Sequence, residues 1–192
     1  MDFTKVNEIK DALKHCLDKE RFEHSIGTAE CAAELANKYG IDTNKAYLAG
    51  LIHDCAKCES KESLEQILKD NSKILGITDC EFIAPKTFHA PAGAVVAKER
   101  FGINDDEILS AIRWHTIGKK DMTHLEKIIY LADKIEPKTR PACYREPLTK
   151  LLEEENGLDK AILESYRLTI KSLVDRNLPI CFQTIEVYNS LL

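Results

Sequence analysis

Apolar positions recur at three- and four-residue steps almost everywhere along this chain, the period of a helix with one buried face. Phe22, Ile26, Ala29, Ala33 and Ala36 keep that step up to Tyr39-Gly40, where the glycine predicts a C-terminal stop. Asp42 or Thr43 can cap a next helix running toward Lys57. Leu64, Ile67 and Leu68 mark a short third helix, and Asn71 to Thr87 has no period and predicts an irregular surface loop. Pro91 suits the first turn of a helix over Ala92 to Arg100. Asn104 or Asp105 caps another, containing Ile108, Leu109, Ile112 and Trp114. Thr123 followed by Glu126 is a capping box opening Leu125 to Ile135, and Pro137 and Pro141 then break the chain. Helices over roughly Tyr144 to Glu155, Leu158 to Arg176 and Pro179 to Ser190 complete the pattern, with Asn156-Gly157 as a turn. Strand alternation is absent over any useful length, so the expected fold class is all-α.

Composition narrows this little further. With 192 residues, 44% hydrophobic and 31% charged, the chain reads as one globular domain, residues 1–192. Its core is expected over about 20–140, with C-terminal helices over 144–190 packing on it. A net charge of -5 argues against a general grip on nucleic acid, while leaving room for a small phosphorylated ligand. Met1 to Lys14 mixes acidic and basic residues without an apolar run, so no signal peptide is expected, and no segment reaches membrane-span length. Seven cysteines, an odd count scattered through helical patterns, predict reduced thiols in a cytoplasmic protein. A homodimer is compatible with such helix faces, but no feature specifies one.

Candidate chemistry begins at His53-Asp54, which ends the apolar run Ala46 to Ile52. A carboxylate at the end of such a run needs compensation, and a bound cation accepts imidazole and carboxylate together. Asp133 repeats the pattern inside Ile128-Ile129-Tyr130-Leu131-Ala132-Asp133, which suggests one site built between helices. His24, His89 and His115 are the further candidates. Such ligands admit Fe, Mn, Zn or Mg and leave coordination positions for water and a substrate oxygen. His15 and His124 read as ordinary surface residues. Cys55 and Cys58 form a Cys-x-x-Cys spacing, but no strand precedes it and no second pair matches it. They are therefore expected to be two small helical residues beside the site.

The order His24, His53-Asp54, Asp133 resembles the HD-domain superfamily of metal-dependent phosphohydrolases. More closely, four stretches are similar to the YqeK family of bacterial symmetrical diadenosine tetraphosphate hydrolases. They are Leu51 to Lys57, Phe88 to Ala94, Ile112 to Gly118 and Tyr130 to Pro137. The resemblance implies an HD-domain helical bundle with a C-terminal helical extension. It implies iron or a similar divalent metal on His24, His53, Asp54 and Asp133. His89 and His115 would face the phosphates, with a second metal near them. Lys57, Thr116, Arg140 and Arg21 would contact the phosphate chain, and the stretch from Arg176 to Cys181 would approach the nucleotide. The implied reaction is attack of a metal-activated water beside the central bridging oxygen, giving two ADP. Asp54, Lys57, His89 and His115 would carry it, with the general acid open between His89 and His115. Two other readings stand beside it: an HD-type nucleotidase or phosphodiesterase on another nucleotide, and a non-catalytic nucleotide-binding module.

Overall fold

Short polar side chains set where the helices begin, and their positions fix which faces meet. The computed structural model describes residues 3–192, save the side chains of Phe3, Asp79 and Cys80. The first helices are α1 (Phe3–Cys16), α2 (Lys19–Tyr39), α3 (Thr43–Ile52), α4 (Lys61–Asp70) and α5 (Ser72–Leu75). They are followed by α6 (His89–Phe101), α7 (Asp106–Trp114), α8 (His124–Ile135), α9 (Ala142–Leu151), α10 (Gly157–Asp175) and α11 (Phe182–Ser190). Short 3₁₀ turns lie at Cys55–Cys58, Asp79–Ile83 and Pro85–Thr87, and no strand occurs among the described residues. Asp18, Asp42 and Asp105 each accept a backbone N–H in the first turn of the helix that follows. Thr123 and Glu126 close the expected capping box on α8, with Thr123 N–H donating to Glu126 at 2.8 Å. The all-α expectation is met.

Helix α2 runs through the middle of the molecule, with α3 on one side and α8 on another. Its buried face therefore differs from the predicted stripe. Ser25, Thr28, Ala29, Ala32, Leu35 and Ala36 are buried, while Phe22, Ile26 and Ala33 are only partly so. Small residues dominate because two helices press on this one, and bulky side chains would hold them off. Helix α7 packs against α3, α6 and α8, and α9 and α10 pack on α8. The core runs continuously from Leu13 through Ile52, Ile112 and Ile129 to Ile162.

Three expectations need correction. The helix drawn toward Lys57 stops at Ile52, and a 3₁₀ turn over Cys55–Cys58 replaces its last part. The His53 ring bonds the Gly50 carbonyl, the acceptor that a continuing helix would offer to Asp54. The stretch Asn71 to Thr87 is not wholly irregular: it holds α5 and two 3₁₀ turns. The thiols are not all free: Cys16, ending α1, is bonded to Cys58, ending the 3₁₀ turn. The end of α1 lies against that turn, which a pattern of separate thiols along the chain could not reveal. Cys55 stays a buried free thiol, as a small residue beside the site should.

Candidate active site

Helix ends deliver most of the candidate side chains to one place. His53 is the C-cap of α3, His115 the C-cap of α7, and His89 the first residue of α6. Each ring turns its Nδ1 back onto the carbonyl three residues earlier: Gly50 at 2.6 Å, Ile112 at 2.7 Å and Lys86 at 2.9 Å. A carbonyl only accepts, so Nδ1 carries the proton and Nε2 presents a lone pair. The Nε2 lone pairs all point inward. His89 and His115 bring theirs within 3.2 Å of each other. His24, buried inside α2, holds Nδ1 3.0 Å from Glu136 and Nε2 2.9 Å from Asp133 Oδ1.

Asp54 stands between two groups of metal-ligand side-chain types. Its Oδ2 is 3.7 Å from His53 Nε2, and its Oδ1 is 3.2 Å from His89 Nε2 and 3.5 Å from His115 Nε2. Two sets of atoms are close enough to hold an ion: His24, His53 and Asp54, and Asp54, His89 and His115. Asp133 Oδ1 adjoins the first set, 3.7 Å from His53 Nε2. His53 Nε2 and Asp54 Oδ1 are both buried and neither makes a hydrogen bond among the described residues. Stripping two such atoms of water without a partner is costly, and the donor set fits a divalent cation of imidazole and carboxylate preference.

The local field favours positive charge. Burial works against it, yet Asp54 and Asp133 hold the His53 imidazole above its ordinary value. Burial likewise opposes ionisation of Asp54, but His53, His115 and His89 hold that carboxyl well below its usual range. Asp133 is also held low against its burial, by Lys134, His24 and His53. His115 differs: burial pushes it down to about 4, so it is neutral across the physiological range and keeps its lone pair free.

All but one of the remaining candidates divide between two cavities. A polar cavity of about 270 Å³ is lined by Arg21, His24, Asp54, Lys57 and Arg140, with Thr139 and the acidic Asp18 and Glu20 at its edge. Arg21 pairs there with Asp18 at 3.2 Å. Arg140 donates to the Asp133 carbonyl at 2.7 Å and to Asp133 Oδ1 at 2.8 Å, so it braces a ligand as well as facing the cavity. Thr116 lines a second, apolar cavity of about 290 Å³, and its buried hydroxyl has no hydrogen-bond partner among the described residues. That cavity is walled by Tyr130, Tyr166, Leu173, Leu178 and Pro179, with the Tyr130 and Tyr166 rings stacked 5.2 Å apart. Arg176 lies exposed at the end of α10 and lines neither cavity.

Sequence reading passed over Glu136 and Thr139. Lys134 is buried, with its ammonium 3.8 Å above the Tyr130 ring and 3.5 Å from Asp133 Oδ2. Glu136 follows Asp133 by three residues, the helical spacing that puts both on one face. That spacing was the available signal.

Residues 21–138 match the HD domain family. Over 94% of its length the chain is 39% identical to the symmetrical bis(5'-nucleosyl)-tetraphosphatase of Halalkalibacterium halodurans, covering 93% of that protein. It is 37% identical over 93% of its length to the enzyme of that name from Bacillus subtilis, again covering 93% of it. A crystal structure from Clostridium acetobutylicum, described as a predicted HD superfamily hydrolase involved in NAD metabolism, superimposes with a TM-score of 0.89. It is 38% identical, and the match covers 97% of this chain and 96% of that one. The histidine-bearing helix ends sit within a shared architecture, and the chain belongs to the HD domain family, among the relatives of the symmetrical bis(5'-nucleosyl)-tetraphosphatases.

Proposed function

We propose that this single HD domain hydrolyses diadenosine tetraphosphate symmetrically to two ADP, with a divalent metal held by His24, His53, Asp54 and Asp133. The observation that carries the reading is the pair of buried atoms without hydrogen bonds, His53 Nε2 and Asp54 Oδ1, within a cluster of inward-facing imidazoles. Iron is the metal the family resemblance favours, and His89 and His115 with the shared Asp54 offer a second position. When bound, such a cation lowers the pKa of a coordinated water and polarises a phosphoryl oxygen.

The chain's own residues do the rest. The phosphate chain lies in the polar cavity, where Lys57, Arg140 and Arg21 offset its charge. Thr116 follows His115 and links the cluster to the apolar cavity, which accepts one nucleoside against Leu178 and Pro179. Symmetrical cleavage then requires two phosphates between that nucleoside and the cluster, so that the central anhydride meets the metal-holding residues. His89 and His115 present their Nε2 lone pairs to this centre, where they can position water or hold the second cation. The reaction suits a cytoplasmic enzyme, since its substrate is a nucleotide.

Elemental analysis of purified protein, coupled to product identification from diadenosine tetraphosphate, tests the reading. ADP as the only nucleotide product, with Asp54→Ala losing metal and turnover together, is expected. Predominant AMP or inorganic phosphate, or an Asp54→Ala protein that hydrolyses normally, overturns it.

A further inference from the structure

Three of the four imidazoles in the cluster take their orientation from a carbonyl three residues back along the chain. His53, His89 and His115 each sit where a helix begins or ends, and that carbonyl receives Nδ1–H. His24 has no such neighbour. It lies within the body of α2, where main-chain carbonyls serve the helix ladder. Its Nδ1 must find an acceptor from elsewhere in the fold.

We infer that Glu136 is the positioning residue for His24, holding its Nδ1–H so that Nε2 faces the cation. The Glu136 side chain has no solvent exposure. Its Oε1 lies 3.0 Å from His24 Nδ1 and 3.0 Å from the Thr139 N–H, and accepts the Thr139 hydroxyl too. Its Oε2 accepts Lys138 N–H at 2.6 Å and Thr139 N–H at 3.2 Å. The turn after α8 thus folds back and locks the carboxylate from behind, leaving the ring as its forward partner. The Thr139 hydroxyl also approaches His24 Nδ1 at 3.3 Å. Room for this arrangement comes from Gly27, one turn beyond His24, where any Cβ would collide with Glu136 Oε2. A carboxylate behind a ligating imidazole fixes its tautomer and raises its basicity, which a carbonyl does less strongly.

The inference rests on the metal reading proposed above. It is tested with Glu136→Ala, Glu136→Gln and Gly27→Ala. Zn²⁺ or Mn²⁺ dissociation constants are measured by chelator competition, the melting of metal-free protein is recorded, and the His24 Nδ1–H proton resonance is followed in Zn²⁺-loaded protein. Glu136→Ala is expected to weaken metal binding by about 10–100-fold and to abolish that resonance. Glu136→Gln keeps an amide oxygen as acceptor and is expected to lie between alanine and wild type. Gly27→Ala is expected to weaken binding with the carboxylate still present, which keeps the test alive if the alanine variant at 136 fails to fold. Wild-type affinity together with an unchanged His24 resonance in folded Glu136→Ala or Glu136→Gln overturns the assignment. Failure of the wild-type protein to bind any metal overturns the parent reading instead, and this one with it.

Discussion

Gly50 is where the packing of two helices becomes the geometry of the site. A Cβ at this position would lie 2.9 Å from Ala29 Cα and 2.9 Å from the Thr28 carbonyl oxygen, both backbone atoms of α2. Ordinary contact begins near 3.4 Å, and backbone cannot rotate out of the way, so Gly50→Ala must part α2 and α3 by about half an ångström. Those helices carry His24 and His53, whose ring centroids are 5.2 Å apart. Overpacking against backbone belongs at the upper end of its range, ~3 kcal/mol, and the better helix propensity of alanine returns ~1 kcal/mol. The net loss of ~2 kcal/mol corresponds to a fall in Tm of about 4–8 °C for a domain of this size. Since a 1 Å misplacement costs on the order of 10²-fold in rate, half that shift should cost roughly tenfold in turnover. Calorimetric melting of metal-free and metal-loaded protein, with kcat on diadenosine tetraphosphate, measures both effects. A Gly50→Ala protein that melts at or above wild type and turns over normally would show that the close approach sets neither stability nor ligand spacing. Gly93 offers the contrast: there a Cβ meets the Ile112 side chain at 3.2 Å, an atom able to yield, so Gly93→Ala should be milder.

Two further predictions concern the cavity and the thiols. Thr169→Trp, on α10 in the wall of the apolar cavity, should raise KM for the dinucleotide by roughly tenfold, ~1.4 kcal/mol of lost binding, without changing metal content. Steady-state kinetics with an unaltered KM would remove the nucleoside from that cavity. The Cys16–Cys58 bond joins residues 42 apart, and closing such a loop typically stabilises by about 2–4 kcal/mol. Reductant should therefore lower Tm in the wild type by about 4–16 °C and leave Cys16→Ser unmoved, whereas identical wild-type melting in both states would count against the bond.

Much of the candidate site could be read from the chain because its side chains obey local rules. His53 and His115 end periodic runs, Asp133 closes one, and Thr123 with Glu126 marks where the last of these helices begins. Each is a statement about neighbours in sequence. What escaped notice depends on neighbours in space. The face of α2 was misjudged because periodicity counts apolar residues, while a helix pressed from two sides selects small ones such as Ser25, Thr28 and Ala32. Trp114, apolar and on the same helix as Ile108 and Ile112, is only partly buried. Arg113 is buried instead, paired with Glu81 at 2.8 Å and stacked on the Trp114 ring. Glu136 looked like one charge among many, because its partner stands 112 residues away and its clamp is a turn that forms only in the fold. A helix continuing to Lys57 would put that residue one turn beyond Asp54. It lines the same polar cavity as Asp54, from a 3₁₀ turn.

The direction of the helices gives the arrangement its electrostatic sense. Helices α3, α7 and α8 all bring their C-terminal ends to the cluster, through His53, His115 and Asp133. Those ends carry the negative pole of the backbone dipole, and Asp54, Asp133 and Glu136 add formal charge to it. Such a centre attracts a cation and would repel a bare phosphate chain. Helix α6 is reversed: it starts at His89, so its positive pole opens toward the same centre. Lys57, Arg140 and Arg21 flank the polar cavity beside it. A polyphosphate can approach such a centre only where cationic groups stand between it and the carboxylates. In the proposed reading, the carboxylates make the interior anionic enough to keep a metal, and the basic residues lining the cavity make that interior approachable by an anion. Neither half works alone: without the carboxylates no cation is held, and without the cation and the basic rim the substrate meets like charge.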